Sequence, residues 1–202
     1  MPVPEVCSHL RPDHSALIGL LKALMRIPGI KHIFSASGIR YDLVFSDKKN
    51  GDAYIRQIAG HHVSGQLKIA PEHTERHVLE AMGKAGGSDL MAFKKKFDAY
   101  SREAGKPQYL TYYFIAAHPG CTVADMENLK RFTRRELKIN PEQVQIYTPT
   151  PSTYSALMYH TGLNPFTGKP VFVEKQAKRR ERQKRILVEK NQPKRTKRSR
   201  RS

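Results

Sequence analysis

The stretch Tyr109-Leu-Thr-Tyr-Tyr-Phe-Ile-Ala-Ala117, running directly into His118-Pro-Gly-Cys-Thr122, decides the fold. An apolar run rich in aromatic and β-branched side chains, closed by a Pro-Gly pair, reads as a strand at 108–117. Three further runs end the same way, in a polar cluster. Lys31-His-Ile-Phe-Ser-Ala36 leads into Ser37-Gly-Ile-Arg-Tyr-Asp42, and Gln66-Leu-Lys-Ile-Ala70 into Pro71-Glu-His-Thr-Glu75. Gln143-Val-Gln-Ile-Tyr147 leads into Pro149-Thr-Pro-Ser-Thr153. These runs predict strands at 31–36, 66–70 and 142–147.

Helical periodicity fills the gaps. Asp13 is placed to cap a helix over 14–27, where Leu17, Leu20, Leu21, Leu24 and Ile27 share one face before Pro28-Gly29 stops it. Further helices are expected at 51–60, 74–82, 88–104 and 122–138, the last opening on Thr122 with Asp125 in its first turn. Strand centres about 33 to 44 residues apart have the period of βαβ units, whose crossovers make the strands parallel. The fold class is therefore α/β, with about four parallel strands and flanking helices. Four units cannot close a standard eight-stranded barrel. They form either an open sheet or part of a larger barrel, and a first helix with no strand before it favours the second.

The 202 residues carry a net charge of +18, unevenly placed. Residues 174–202 hold 14 Lys/Arg against 3 Glu. A helix at 174–190 is expected to lead into a disordered basic tail whose Lys194, Arg195, Lys197, Arg198, Arg200 and Arg201 would attract RNA or DNA by counterion release. The plainer reading is a solvated basic end. The division is thus a βα body over 1–147, an ordered Pro/Gly-rich stretch over 148–173 and the basic end over 174–202. No apolar run approaches the roughly 20 residues of a membrane span, and no signal peptide is read, so the expected location is cytoplasmic without a membrane partner. Cys7 and Cys121 stand too far apart in sequence for a metal motif.

The clusters carry the candidate chemistry. Ser35, Ser37 and Arg40 offer hydroxyls and a guanidinium that suit a carboxylate or ribose, or else Arg40 pairs with Asp42 or Asp47. Lys68, between Leu67 and Ile69, needs an anion if its strand is buried on both faces: a ligand carboxylate, or Glu72. His73 and His77 would share a face if their stretch is helical, but His-Thr-Glu-Arg-His is not the zinc-protease order. The His118-Pro119-Gly120 turn would expose backbone N–H groups to a ligand at a helix N-terminus. Cys121 beside it is either a thiol activated by that terminus or an inert small residue. Tyr147, Tyr154 and Tyr159 could stack on a base or simply pack.

Five strings together resemble the YgiQ-type proteins of the radical S-adenosylmethionine (SAM) superfamily. They are Ser37-Gly-Ile-Arg-Tyr-Asp-Leu43, Leu67-Lys-Ile-Ala-Pro-Glu-His-Thr-Glu75, Ala117-His-Pro-Gly120, Pro149-Thr-Pro-Ser-Thr153 and Met158-Tyr-His-Thr-Gly-Leu-Asn-Pro165. The resemblance spans about residues 4–170. It implies a partial (β/α) barrel that holds a [4Fe–4S] cluster and SAM, whose reductive cleavage gives a radical that abstracts a substrate hydrogen. It places Ser35, Ser37, Arg40, Lys68 and Glu72 in the lumen near SAM and His118, Pro119 and Gly120 beside its adenine. The superfamily's C-x3-C-x2-C motif is absent, and Cys7 resembles only a cysteine downstream of it, an auxiliary ligand at most. The chain therefore resembles the C-terminal part of such an enzyme. It is expected to be inactive alone, with the missing N-terminal half or an electron donor as partner. The other readings are a nucleic-acid-binding protein acting through its tail, and a decayed remnant.

Overall fold

The computed structural model describes residues 9–36, 38–84 and 89–189. Three helices come first: α1 (Ser15–Leu24), α2 (Tyr41–Ser46) and α3 (Gly51–His61). Strand β1 (Gln66–Glu72) leads through α4 (Arg76–Ala81) and α5 (Asp89–Glu103) to β2 (Tyr109–Ala116). Helix α6 (Val123–Phe132), widened by a π-helical turn over Thr133–Leu137, leads to β3 (Gln143–Ile146). Helices α7 (Tyr154–Thr161) and α8 (Ala177–Val188) follow. The strands are parallel in the order β1-β2-β3.

The α/β class and the parallel pairing match the sequence reading, but the expected strand at 31–36 does not form. That segment is irregular, and only Ile39 bridges to β1, at Ile69. The physical reason is a competing anchor. His62, at the end of α3, donates from Nδ1 to the Ile33 carbonyl at 2.9 Å, and its own carbonyl accepts the Ser35 N–H at 2.9 Å. The backbone groups of 33–35 are thereby directed to α3 rather than to a ladder. Among the described residues the sheet is three-stranded and does not close. Two short helices, α2 and α7, lie where the sequence reading had loop.

Register and burial assign the two faces of the sheet. Leu67, Ile69, Leu110, Tyr112, Phe114 and Val144 face one way and are buried. They join Ile55 and Ile58 of α3, Phe93 and Phe97 of α5, Met126 and Leu129 of α6 and Leu187 of α8 in one core. On the other face Gln66, Lys68, Tyr109, Gln143 and Gln145 are exposed, and Thr111, Tyr113 and Ile115 are half-buried. An all-parallel sheet normally has both faces covered. Here one face is packed by helices, and the other is polar and aromatic.

Helix α1 buries none of its residues. His14 ties it down, giving its backbone N–H to Asp47 Oδ2 at 2.8 Å and meeting the same oxygen through Nδ1 at 2.9 Å. Asp13 accepts the Ser15 N–H, as a capping residue should, although His14 holds the cap position itself. Leu17, Leu20 and Ile27 of the predicted apolar face remain exposed, with Ile30 and Phe34 beyond them. Among the described residues no helix is long and apolar enough to cross a membrane.

Gln183 joins α8 to the sheet. Its Oε1 accepts the Ala117 N–H at 3.0 Å, and its Nε2 donates to the Cys121 carbonyl at 3.2 Å. Replacing it with leucine strands a buried donor and a buried acceptor, each costing about 1–3 kcal/mol. Gln183→Leu should therefore lower unfolding stability in urea by roughly 2–4 kcal/mol, while the exposed Leu20→Lys should change it by less than about 0.5 kcal/mol.

Candidate functional site

Parallel strands bring their carboxyl ends to one edge, where α/β proteins build sites. The residues leaving β1 and β2 take an uncommon backbone conformation there. Glu72 has φ 64° and Ala117 φ 57°, the left-handed region that costs a non-glycine residue roughly 1–2 kcal/mol. Glu72 is held by an ion pair with Lys84 at 2.8 Å, and Ala117 by Gln183. The turns they introduce, 73–75 and 117–122, lie against each other.

A chain of buried polar groups crosses between these turns. His73 Nδ1 accepts the Glu75 N–H at 3.0 Å, which leaves the ring proton on Nε2, facing Cys121 Sγ at 3.5 Å. Cys121 Sγ lies 3.5 Å from Gln183 Oε1. Burial lowers the His73 pKa to about 4 and pushes the Cys121 thiol up to about 12, where Asp125 and Glu75 add to the rise. The two readings of Cys121 thus resolve in favour of the inert one: the thiol is buried and protonated.

His118 is also buried, and its pKa is lowered to about 4 by desolvation. Its Nδ1 donates to the Pro119 carbonyl at 2.8 Å, so Nε2 accepts from Ser155 Oγ at 2.8 Å. Its ring meets Tyr147 edge-on at 4.8 Å, and Tyr147 meets Tyr159 at 5.9 Å. Arg180 stacks over Tyr159 at 5.7 Å and donates to the Tyr147 carbonyl. Tyr154 instead packs on Phe166. The tyrosines of this edge are thus engaged with protein groups.

Beside this network, Asp125 closes the N-terminus of α6. Its Oδ2 accepts from both Thr122 N and Oγ1 at 2.7 Å, the reciprocal cap the sequence predicts. Burial works to raise this carboxyl, but the Thr122 hydrogen bonds and the neighbouring His77 outweigh it and hold the pKa below the usual range. His77 Nε2 lies 3.3 Å from Asp125 Oδ2.

Several expected site residues have surroundings other than those the sequence suggests. Arg40 is exposed and pairs with Asp42 through two bonds, at 2.8 and 2.5 Å. Lys68 does not lie in a doubly buried strand; it projects from the exposed face, and Glu72 is taken by Lys84. The Pro119-Gly120 turn presents no free N–H pair: Gly120 donates to the Phe172 carbonyl at 2.7 Å and Cys121 to the His118 carbonyl at 2.9 Å. Gly120 is needed for its φ of 89°. His73 precedes α4 and does not share a helical face with His77. Ser35 is half-buried on the segment tied to α3. Ser37, Cys7 and the tail residues Lys194, Arg195, Lys197, Arg198, Arg200 and Arg201 lie outside the described residues. Sequence reasoning missed Lys84, Ser155 and Gln183. Nothing in their local sequence marks them, because each acts on a partner at least 12 positions away.

Residues 142–195 match a domain of unknown function, DUF3362. The chain is similar to UPF0313 proteins across most of its length. That of Fusobacterium nucleatum is 54% identical over 187 residues, covering 93% of this chain and 33% of the relative. That of Methanosarcina acetivorans is 43% identical over 184 residues, covering 91% and 24%. That of Thermotoga maritima is 41% identical over 181 residues, covering 90% and 32%. The chain thus spans between 24% and 33% of the length of these curated relatives.

Two of the buried histidines, His73 and His118, fix a pH dependence. Each has a folded pKa of about 4 against an ordinary value of 6.5, so the unfolded chain binds more protons between those values. Their contribution to stability should be complete above pH 6.5 and fall through that window as pH drops, by up to about 1.4 kcal/mol per unit for each ring. Urea titrations from pH 7.5 to pH 4.5 should show this loss, and His118→Gln should flatten it.

Proposed function

We propose that this chain forms one flank of a radical SAM barrel, supplying lumen wall and strand ends while the iron–sulfur cluster is held by other residues. The observation that supports this most is the one-sided sheet: helices pack one face, and the other carries Lys68, Thr111, Tyr113 and Gln145. A barrel wall has this asymmetry, with helices outside and functional side chains inside. The exposed apolar positions of α1, and the relatives' threefold greater length, are consistent with further strands packing against this unit.

A [4Fe–4S] cluster does not fit the residues described. Cluster ligands are thiolates. The one described cysteine, Cys121, is buried, with its thiol held protonated. No step through the cluster is therefore derived for this chain. For SAM the fit is partial. Of the charged residues expected to contact it, Arg40 and Glu72 are satisfied by Asp42 and Lys84. Lys68 makes no side-chain hydrogen bond or ion pair among the described residues, and it pairs in register with Thr111. A lysine ammonium beside a threonine hydroxyl can hold and orient a carboxylate such as that of SAM. SAM bound there would supply hydrogen-abstraction chemistry.

The test is a fusion of this chain to the remaining portion of the Fusobacterium relative, reconstituted anaerobically with iron and sulfide. The fusion should bind a cluster and release 5′-deoxyadenosine from SAM, and Lys68→Ala should slow that release by roughly tenfold or more. A fully loaded fusion that leaves SAM intact would overturn the reading.

A second reading has its own support. Lys178, Arg179, Arg182 and Arg185 are exposed on α8, continuing the basic composition of the chain's end. This surface suits a polyanion such as RNA. Binding to a random-sequence RNA should weaken steeply as salt rises, and deletion of residues 190–202 should reduce the salt slope.

A further inference from the structure

The turns after β1 and β2 bring together three side chains that none of the readings above employs. Glu75, His77 and Asp125 each offer one ligand atom, and these atoms all lie within 4.8 Å of one another. They come from two separate connections, Glu75 and His77 from the start of α4 and Asp125 from the start of α6. We propose that Glu75, His77 and Asp125 form a binding site for a divalent transition metal of the zinc class.

Geometry supports this first. Two donors bound at 2.0–2.1 Å to a tetrahedral metal stand about 3.3 Å apart. His77 Nε2 and Asp125 Oδ2 are 3.3 Å apart, longer than the usual N–H···O separation and close to that edge. Glu75 offers the third donor, its carboxylate oxygen within 4.8 Å of the other two. Water or a ligand oxygen would fill the remaining position.

Charge supports it second. Two carboxylates converge on one imidazole, and no lysine or arginine is paired with either among the described residues. Their field reaches Cys121, whose thiol both Asp125 and Glu75 push toward the protonated form. Two carboxylates that converge in this way are favourable beside a cation. The donor set of one imidazole and two carboxylates suits zinc, manganese or ferrous ion better than the thiol-seeking metals.

The supports are also in place. Thr122 anchors Oδ2 of Asp125, the oxygen that faces His77, through two hydrogen bonds, and Oδ1 accepts none among the described residues. The Glu75 N–H is fixed on His73 Nδ1. Outer hydrogen bonds of this kind orient metal ligands. A metal here would tie α4 to α6 across the ends of β1 and β2.

The full chain, stripped with chelator, should be titrated with Co2+ alone. A saturable one-to-one visible absorption, displaced by Zn2+, is expected. Glu75→Gln and His77→Ala should each weaken Co2+ binding by roughly tenfold or more, whereas His61→Ala, on the surface of α3, should leave it unchanged. Glu75 is half-buried and His77 exposed, so neither change threatens the core, and circular dichroism verifies the fold. Absence of saturable absorption overturns the site. So does binding that survives both substitutions, which would place the ion on other histidines.

Discussion

Parallel pairing is the constraint from which the rest follows. A parallel strand cannot return through a tight turn, so the chain must cross from the end of each strand back to the start of the next. Every polar turn that leaves a strand therefore lands on the same edge. His73, His118 and Tyr147 belong to three different connections, and this rule places all three together. The crossovers also carry the helices onto a single side, which gathers Phe93, Phe97, Met126 and Leu129 into one core and leaves Lys68, Thr111 and Tyr113 on the other.

The edge so formed is hydrogen-bonded within the protein around its two histidines and open at its margin. At the centre, His73, Cys121 and Gln183 hand hydrogen bonds from one to the next, and His118 is matched by Ser155 and the Pro119 carbonyl. Burial disfavours the charged form of both imidazoles and of the thiol, which suits these groups to a structural role. At the margin, Glu75 and His77 reach solvent beside Asp125, and Lys68 stands on the open face. Residues available for a ligand are those that the protein's own network leaves unused.

Helix α8 shows how the region matching DUF3362 is bound to the βα body. Gln183 enters the turn after β2 and satisfies two backbone groups that the left-handed turn at Ala117 leaves without a ladder partner. Arg180 reaches the end of β3, and Leu187 joins the core. Lys178, Arg179, Arg182 and Arg185 of α8 face outward as a consequence, since its inward positions are taken by Gln183 and Leu187.

The sequence by itself determined the local elements and their order. The apolar run at 109–117 closed by Pro119-Gly120, the helical periodicity over 88–104 and the Thr122–Asp125 cap are short-range signals, and each is realised nearly where it was read. The cluster after residue 36 was read as a strand end, and no strand forms at 31–36, whereas the alternative pairing of Arg40 with Asp42 is realised. His62 captures the backbone at Ile33 and Ser35, a competition between partners 27 and 29 positions apart that no local pattern encodes. The same holds for the site. Residue types at 68, 72 and 118 announced chemistry, but whether a side chain meets a ligand or a neighbour depends on what the fold sets beside it. Lys84 claimed Glu72, Ser155 claimed His118, and Asp125 came to lie beside His77 across 48 residues. Those pairings were decided by the tertiary structure, because only the crossover geometry brings residues so far apart in sequence within bonding distance.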